Sequence, residues 1–186
     1  MSSSDAGRLR RDARRLRRRT IAAAALLLMS AAVSACTVQP LYGPTPSGAA
    51  VPDILARIAI DPVDTRVAQL VRNKLIFYLA GGAGEPSNPT YNMHLTVTAQ
   101  EVALGITREE SAPVYSITVA ATYEITRVDT GEIVLRATSR GTASYDRVNQ
   151  VFANVRAARD AQEKAATAAA DDIRIRLAAA TARGTI

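Results

Sequence analysis

The chain has 186 residues, one cysteine, one histidine, no tryptophan and a formal net charge of +6. That excess would suit a nucleic-acid binder, but residues 1–20 carry eight arginines against two aspartates and so account for all of it. From Cys36 onward 15 basic and 15 acidic side chains balance, so nucleic acid is not an expected partner, and a lone cysteine excludes a disulfide within the chain.

The arginine block Arg14 to Arg19 precedes an apolar run, Ile21 to Ala32. Those 12 residues would span about 18 Å as a helix at ~1.5 Å per residue. A membrane-spanning helix needs about 20, so the run suits the core of an export signal. It leads into Val33-Ser34-Ala35-Cys36, small residues before the sole cysteine. This is the pattern of a bacterial lipoprotein processing site. There the thiol is joined to diacylglycerol, the chain is cut between Ala35 and Cys36, and the new N-terminus is acylated. Each buried methylene of such a lipid contributes roughly 0.8 kcal/mol, and two or more chains anchor stably. Thr37 stands where an aspartate would favour inner-membrane retention, which points to the outer membrane.

Residues 1–35 therefore read as a cleaved signal peptide, 36–52 as a lipidated cysteine with a tether, and 53–186 as a single α+β domain. The tether holds Pro40, Pro44, Pro46 and Pro52 with Gly43 and Gly48, a composition that favours extended chain over packed structure. Leu41 and Tyr42 are its two large apolar side chains.

In the domain, alternation of Ile54, Ala56, Ile58 and Ile60 predicts a short strand. Asp64 or Thr65 can cap a following helix in which Val67, Leu70, Val71, Leu75, Tyr78 and Leu79 recur at three- and four-residue steps. Gly81-Gly82 ends it. Two long strands follow, Tyr91 to Gln100 and Tyr115 to Thr126, each with one apolar and one polar face. Asp129-Thr130-Gly131 turns into a third, Ile133 to Arg140. An alanine-rich stripe from Val151 through Val155, Ala158, Gln162, Ala165, Ala166, Ala169, Ile173 and Leu177 to Ala180 predicts a long helix that covers the sheet and stops at Gly184. The expected order is β-α-β-β-β-α: a four-stranded mixed sheet with two helices on one face.

Chemistry is hard to find in this pattern. His94 lies in the polar register of a strand, with no positioned nucleophile or carboxylate to complete a triad. It also lacks histidine or cysteine partners for a metal. Asp171-Asp172 and Glu109-Glu110 are sequence neighbours whose side chains diverge, and Gly81-Gly82-Ala83-Gly84 follows a helix rather than a strand. The expectation is a protein that is not an enzyme and uses no cofactor or metal. The polar sheet face says more. Thr96, Thr98, Thr118, Thr122 and Thr138 make it uncharged, with Arg136 and Arg140 toward one strand end as candidate contacts for an anionic ligand. Such a face could enter the polar lumen of an outer-membrane barrel.

Three segments also carry a family likeness. They are the cysteine followed by Pro40-Leu41-Tyr42-Gly43; the unit from Ile58-Ala59-Ile60 through Arg72-Asn73-Lys74-Leu75; and Ser144-Tyr145-Asp146 with Phe152-Ala153-Asn154 and the helix containing Ala157-Ala158-Arg159-Asp160-Ala161, Ala165-Ala166 and Asp171-Asp172-Ile173-Arg174. In their order and spacing the chain resembles the alphaproteobacterial form of the LptE family of lipopolysaccharide-assembly lipoproteins. It departs at Thr37-Val38-Gln39, where relatives often carry Gly-Phe-Arg. The resemblance implies a lipid-anchored outer-membrane subunit that partners and plugs the LptD barrel and assists delivery of lipopolysaccharide. Its alternative is an auxiliary lipoprotein of an ABC-type lipid or solvent transporter. Replacing the anchor residue, Cys36→Ser, is expected to abolish palmitate labelling and release the chain from membranes; unchanged labelling would refute the site.

Overall fold

The computed structural model describes residues 48–104 and 114–186. Ala35, Cys36, the tether as far as residue 47 and the Glu109-Glu110 pair lie outside the described residues. The elements are α1 (Val51–Leu55), β1 (Ile58–Ile60), α2 (Arg66–Ala80), β2 (Tyr91–Leu104), β3 (Val114–Arg127), β4 (Ile133–Asp146) and α3 (Val151–Ala182). The expected strand at Ile54 is shorter and later than its alternation suggests. Pro52 sits in the first turn of α1, where its missing N–H costs nothing, and Asp53 adds favourable charge there. One turn of helix then buries Val51 and Leu55, four apart, and β1 keeps only Ile58, Ala59 and Ile60.

The α2 boundaries follow the sequence signals. The Thr65 side chain accepts a hydrogen bond from the Ala68 N–H at 3.2 Å, and Gly81 takes the left-handed cap at φ 58°. The sheet order is β1-β2-β3-β4, with β1 parallel to β2 and the other pairs antiparallel. This is the expected mixed sheet, with α2 and α3 as its helical layer and α1 as a third, short helix. Met93, Ile117, Val119, Tyr123 and Ile125 point from the sheet into the core. Leu75 of α2 and Ile173 and Leu177 of α3 meet them; burying a side chain of that size stabilises by about 1.5–3 kcal/mol.

The long helix lies unusually close to β4. A Cβ placed on Gly141 would stand 2.0 Å from the Ala165 carbonyl oxygen and 2.6 Å from the Ala169 nitrogen. Ala161, Ala165, Ala166, Ala169 and Ala170 are all buried along this seam. The stripe predicted from sequence is accurate from there to Ala180, but not at its start: Val151 and Val155 are exposed, as is Phe152 at 88%. They belong to helix that extends past the core. The Asn154 side chain fastens the preceding loop, accepting from the Val148 N–H at 2.8 Å and donating to its carbonyl at 2.7 Å. Oppositely charged residues recur four apart on the water side of α3, where Asp160–Lys164 and Asp172–Arg176 pair, both at 2.7 Å. Arg156/Asp160 and Arg159/Glu163 do not close among the described residues. Exposed pairs of this kind contribute a few tenths of a kcal/mol at most.

Gly141→Ala is expected to lower unfolding free energy by about 1–3 kcal/mol, because backbone rather than a flexible side chain blocks the methyl. Thr142→Ala, on the opposite sheet face, removes only a cross-strand hydroxyl pair and should lower it by less than about 1 kcal/mol. Denaturant titration of both variants measures the difference.

Candidate interaction face

Both helices cover one side of the sheet and leave the other open. Strand pairing arranges the open side in rows. His94, Glu124 and Arg136 lie across β2, β3 and β4; Thr96, Thr122 and Thr138 follow, then Thr98, Ala120 and Arg140, then Gln100, Thr118 and Thr142. Threonines couple directly across β3 and β4, Thr122 to Thr138 at 3.0 Å and Thr118 to Thr142 at 3.3 Å. Cross-strand pairing of this kind stabilises the sheet and fixes side-chain positions. The centre of the face is a neutral hydroxyl field.

The two candidate arginines do not share a strand end. Arg136 forms an ion pair with Glu124, so its charge is compensated. Arg140 stands four residues further along β4, about 13 Å at ~3.3 Å per residue, beside the small Ala120 and among threonines. It has no ion-pair partner among the described residues and is exposed. Of the two, Arg140 is the one free to meet an external anion.

His94 is a solvent-facing strand residue, 71% exposed, with Nδ1 3.2 Å from Asp61 Oδ2. Asn92 Nδ2 donates to Asp61 Oδ1 at 2.7 Å, so Asp61 braces the end of β1 against β2. No nucleophile joins this group among the described residues. Among the described residues no cluster of His, Cys, Asp and Glu could hold a metal, and no helix is long and apolar enough to cross a membrane.

Sequence reasoning missed the far end of the sheet, because it ended β2 at Gln100 and β4 at Arg140. Both strands run further. Tyr115 and Tyr145 stack there with ring centroids 5.6 Å apart and planes at 23°. Arg147 lies 5.4 Å from the Tyr115 ring centre and donates to its hydroxyl at 3.1 Å, while the Tyr145 hydroxyl donates to Glu101. A tyrosine opposite a tyrosine was the available signal. Partial burial, and then the hydrogen bond to the Glu101 carboxylate and its charge, push the Tyr145 phenol up to about 12. On the helix side, burial likewise raises Tyr123. Ser139 moderates that rise from beside it without forming a well-made hydrogen bond, and both hydroxyls remain buried and unpaired.

No protein-family model matches the chain, and no curated protein matches it. Solved structures do. A protein of Caulobacter crescentus CB15 described as a candidate lipoprotein aligns with a TM-score of 0.60 and 23% identity, over 71% of this chain and 95% of its own. A minor lipoprotein of Acinetobacter baumannii aligns with a TM-score of 0.54 and 16% identity, over 67% of this chain and 91% of its own. The chain shares their fold.

Because the Tyr145 pKa is raised above the usual 10.0, the stabilisation tied to its neutral form is complete below pH 10 and is lost as pH rises toward 12. Glu101→Gln removes the carboxylate charge and should bring this titration back toward 10. Phenolate absorbance, taken as a difference against Tyr145→Phe, measures it.

Proposed function

We propose that this chain is a non-enzymatic lipoprotein subunit of the machinery that carries lipopolysaccharide to the outer membrane. Acylated Cys36 holds it there, and the open sheet face meets a large LptD-like barrel. The observation that carries the reading is that face: three long strands present a polar, hydroxyl-lined surface, with Arg140 its one uncompensated charge among the described residues, that needs no apolar cover and matches a polar barrel lumen. The lipoprotein processing pattern and a fold shared with two proteins described as lipoproteins support the anchor. In this reading Arg140 offers a phosphate of the glycolipid a charge-assisted contact that Arg136, held by Glu124, offers less well.

Affinity purification of the full chain from detergent-solubilised outer membranes should recover a large barrel protein. Recovery of inner-membrane transporter subunits alone would contradict the proposal and favour an ABC-type lipid transporter. Purified chain should bind lipopolysaccharide, with Arg140→Ala weakening binding on the order of tenfold and Arg136→Ala weakening it less; the reverse order would remove Arg140 from the contact.

A further inference from the structure

Among the described residues, the outer edge of β2 has no partner along most of its length. β1 pairs with Tyr91, Asn92 and Met93 only. The orientation of the remaining backbone groups follows from that pairing. The Tyr91 N–H donates outward to the Arg57 carbonyl at 3.3 Å, and the Met93 carbonyl accepts from the Asp61 N–H at 2.9 Å. Alternate residues of a strand present their backbone groups to the same edge. Val97, Ala99, Glu101 and Ala103 therefore direct both N–H and C=O away from β3. Among the described residues nothing pairs with them.

This edge also lacks the features that usually protect one. Proteins blunt free edges with lysine, proline, bulges or a covering element. From His94 to Leu104 there is no proline, glycine or lysine, and Glu101 is already bonded by Tyr145. The helical layer does not reach this half of β2: Ala99, Glu101 and Ala103 are exposed on the helix side, although the facing Val119 and Ile117 of β3 are buried. Val102 and Leu104 are each 49% exposed on the open side. The other long edge differs. β4 carries an irregularity opposite Ile125 and Thr126, bears Arg136 and Arg140, and tucks Gly141 beneath α3.

We infer that β2 is extended by a strand from another protein, which hydrogen-bonds to the free edge at Val97, Ala99, Glu101 and Ala103 and sets apolar side chains beside Val102 and Leu104. A row of unpaired amides and carbonyls calls for an extended polypeptide backbone as its complement. The chain's own tether is a poor occupant, because Pro40, Pro44 and Pro46 interrupt its donors. A second copy fits less well too. Antiparallel overlap of His94–Leu104 with itself would set Leu104 against His94 and Val102 against Thr96, leaving the apolar tip on polar residues. This inference rests on the proposed role as subunit of a larger envelope protein, and it names the segment through which that partner binds.

The test uses the full chain purified with its barrel partner. Amide hydrogen exchange at Ala99, Glu101 and Ala103 should slow by at least about tenfold in the complex relative to the chain alone. Ala99→Pro removes one outward N–H without touching the β3 ladder, and should weaken recovery of the barrel about fivefold to tenfold. Ala99→Val keeps the N–H and should not. If Ala99→Pro unfolds, Ala103→Pro near the strand end supplies the same loss. Recovery of the barrel with no slowing and no proline effect overturns the edge inference while leaving the proposed function standing. Slowing that depends on protein concentration in the chain alone, together with a dimer by light scattering, overturns it in favour of a second copy. Failure to recover any barrel overturns both.

Discussion

The approach of the C-terminal helix to β4 is the contact on which the rest of the domain depends. A glycine in the strand and alanines at each facing turn let two backbones meet where any larger pair of side chains would separate them. The close seam fixes the helix height above the sheet, and that height lets Ile173 and Leu177 reach the Met93, Ile125 and Leu75 cluster. With no intramolecular disulfide possible, this packing and the strand ladders carry the stability of the fold.

All the packing is concentrated on one side and toward one end. The helix side is filled near β1 and α1, while β2 runs beyond its cover and α3 starts beyond the sheet-facing core. What remains outward is a neutral threonine field, one uncompensated arginine, a free strand edge and a tyrosine pair braced by Arg147 and Glu101. None of these activates a nucleophile or holds a proton for transfer. In the proposed reading these features fit the chain against another molecule, a role of partnership and positioning.

Much of this was legible in the sequence because period and capping act locally. The two-residue alternation of β2 and β3, a cap at Asp64 or Thr65 and the Gly81 stop required no tertiary knowledge, and the structure gives the cap to Thr65. Tertiary contacts decided the rest. Ile54 alternates as a strand residue would, but Pro52 and the burial of Val51 with Leu55 made a helical turn there. The predicted third strand stopped at Arg140, and the role of Gly141 is visible only once Ala165 and Ala169 lie against it. Val151 and Val155 continue the helical stripe, yet periodicity cannot say where the sheet beneath them stops. The candidate arginines were separated by a neighbour, Glu124, whose position depends on strand register. The free edge of β2 was also beyond reach, since a sequence does not reveal that β1 pairs with three residues and no more.

The central claim is that the open sheet face is covered by a partner in the envelope. Labelling of Thr122→Cys with a small maleimide tests it most directly, comparing the full chain in isolated outer membranes with the purified chain. The account predicts rapid labelling of the purified chain and strong protection in the membrane. Equal labelling in both would contradict it.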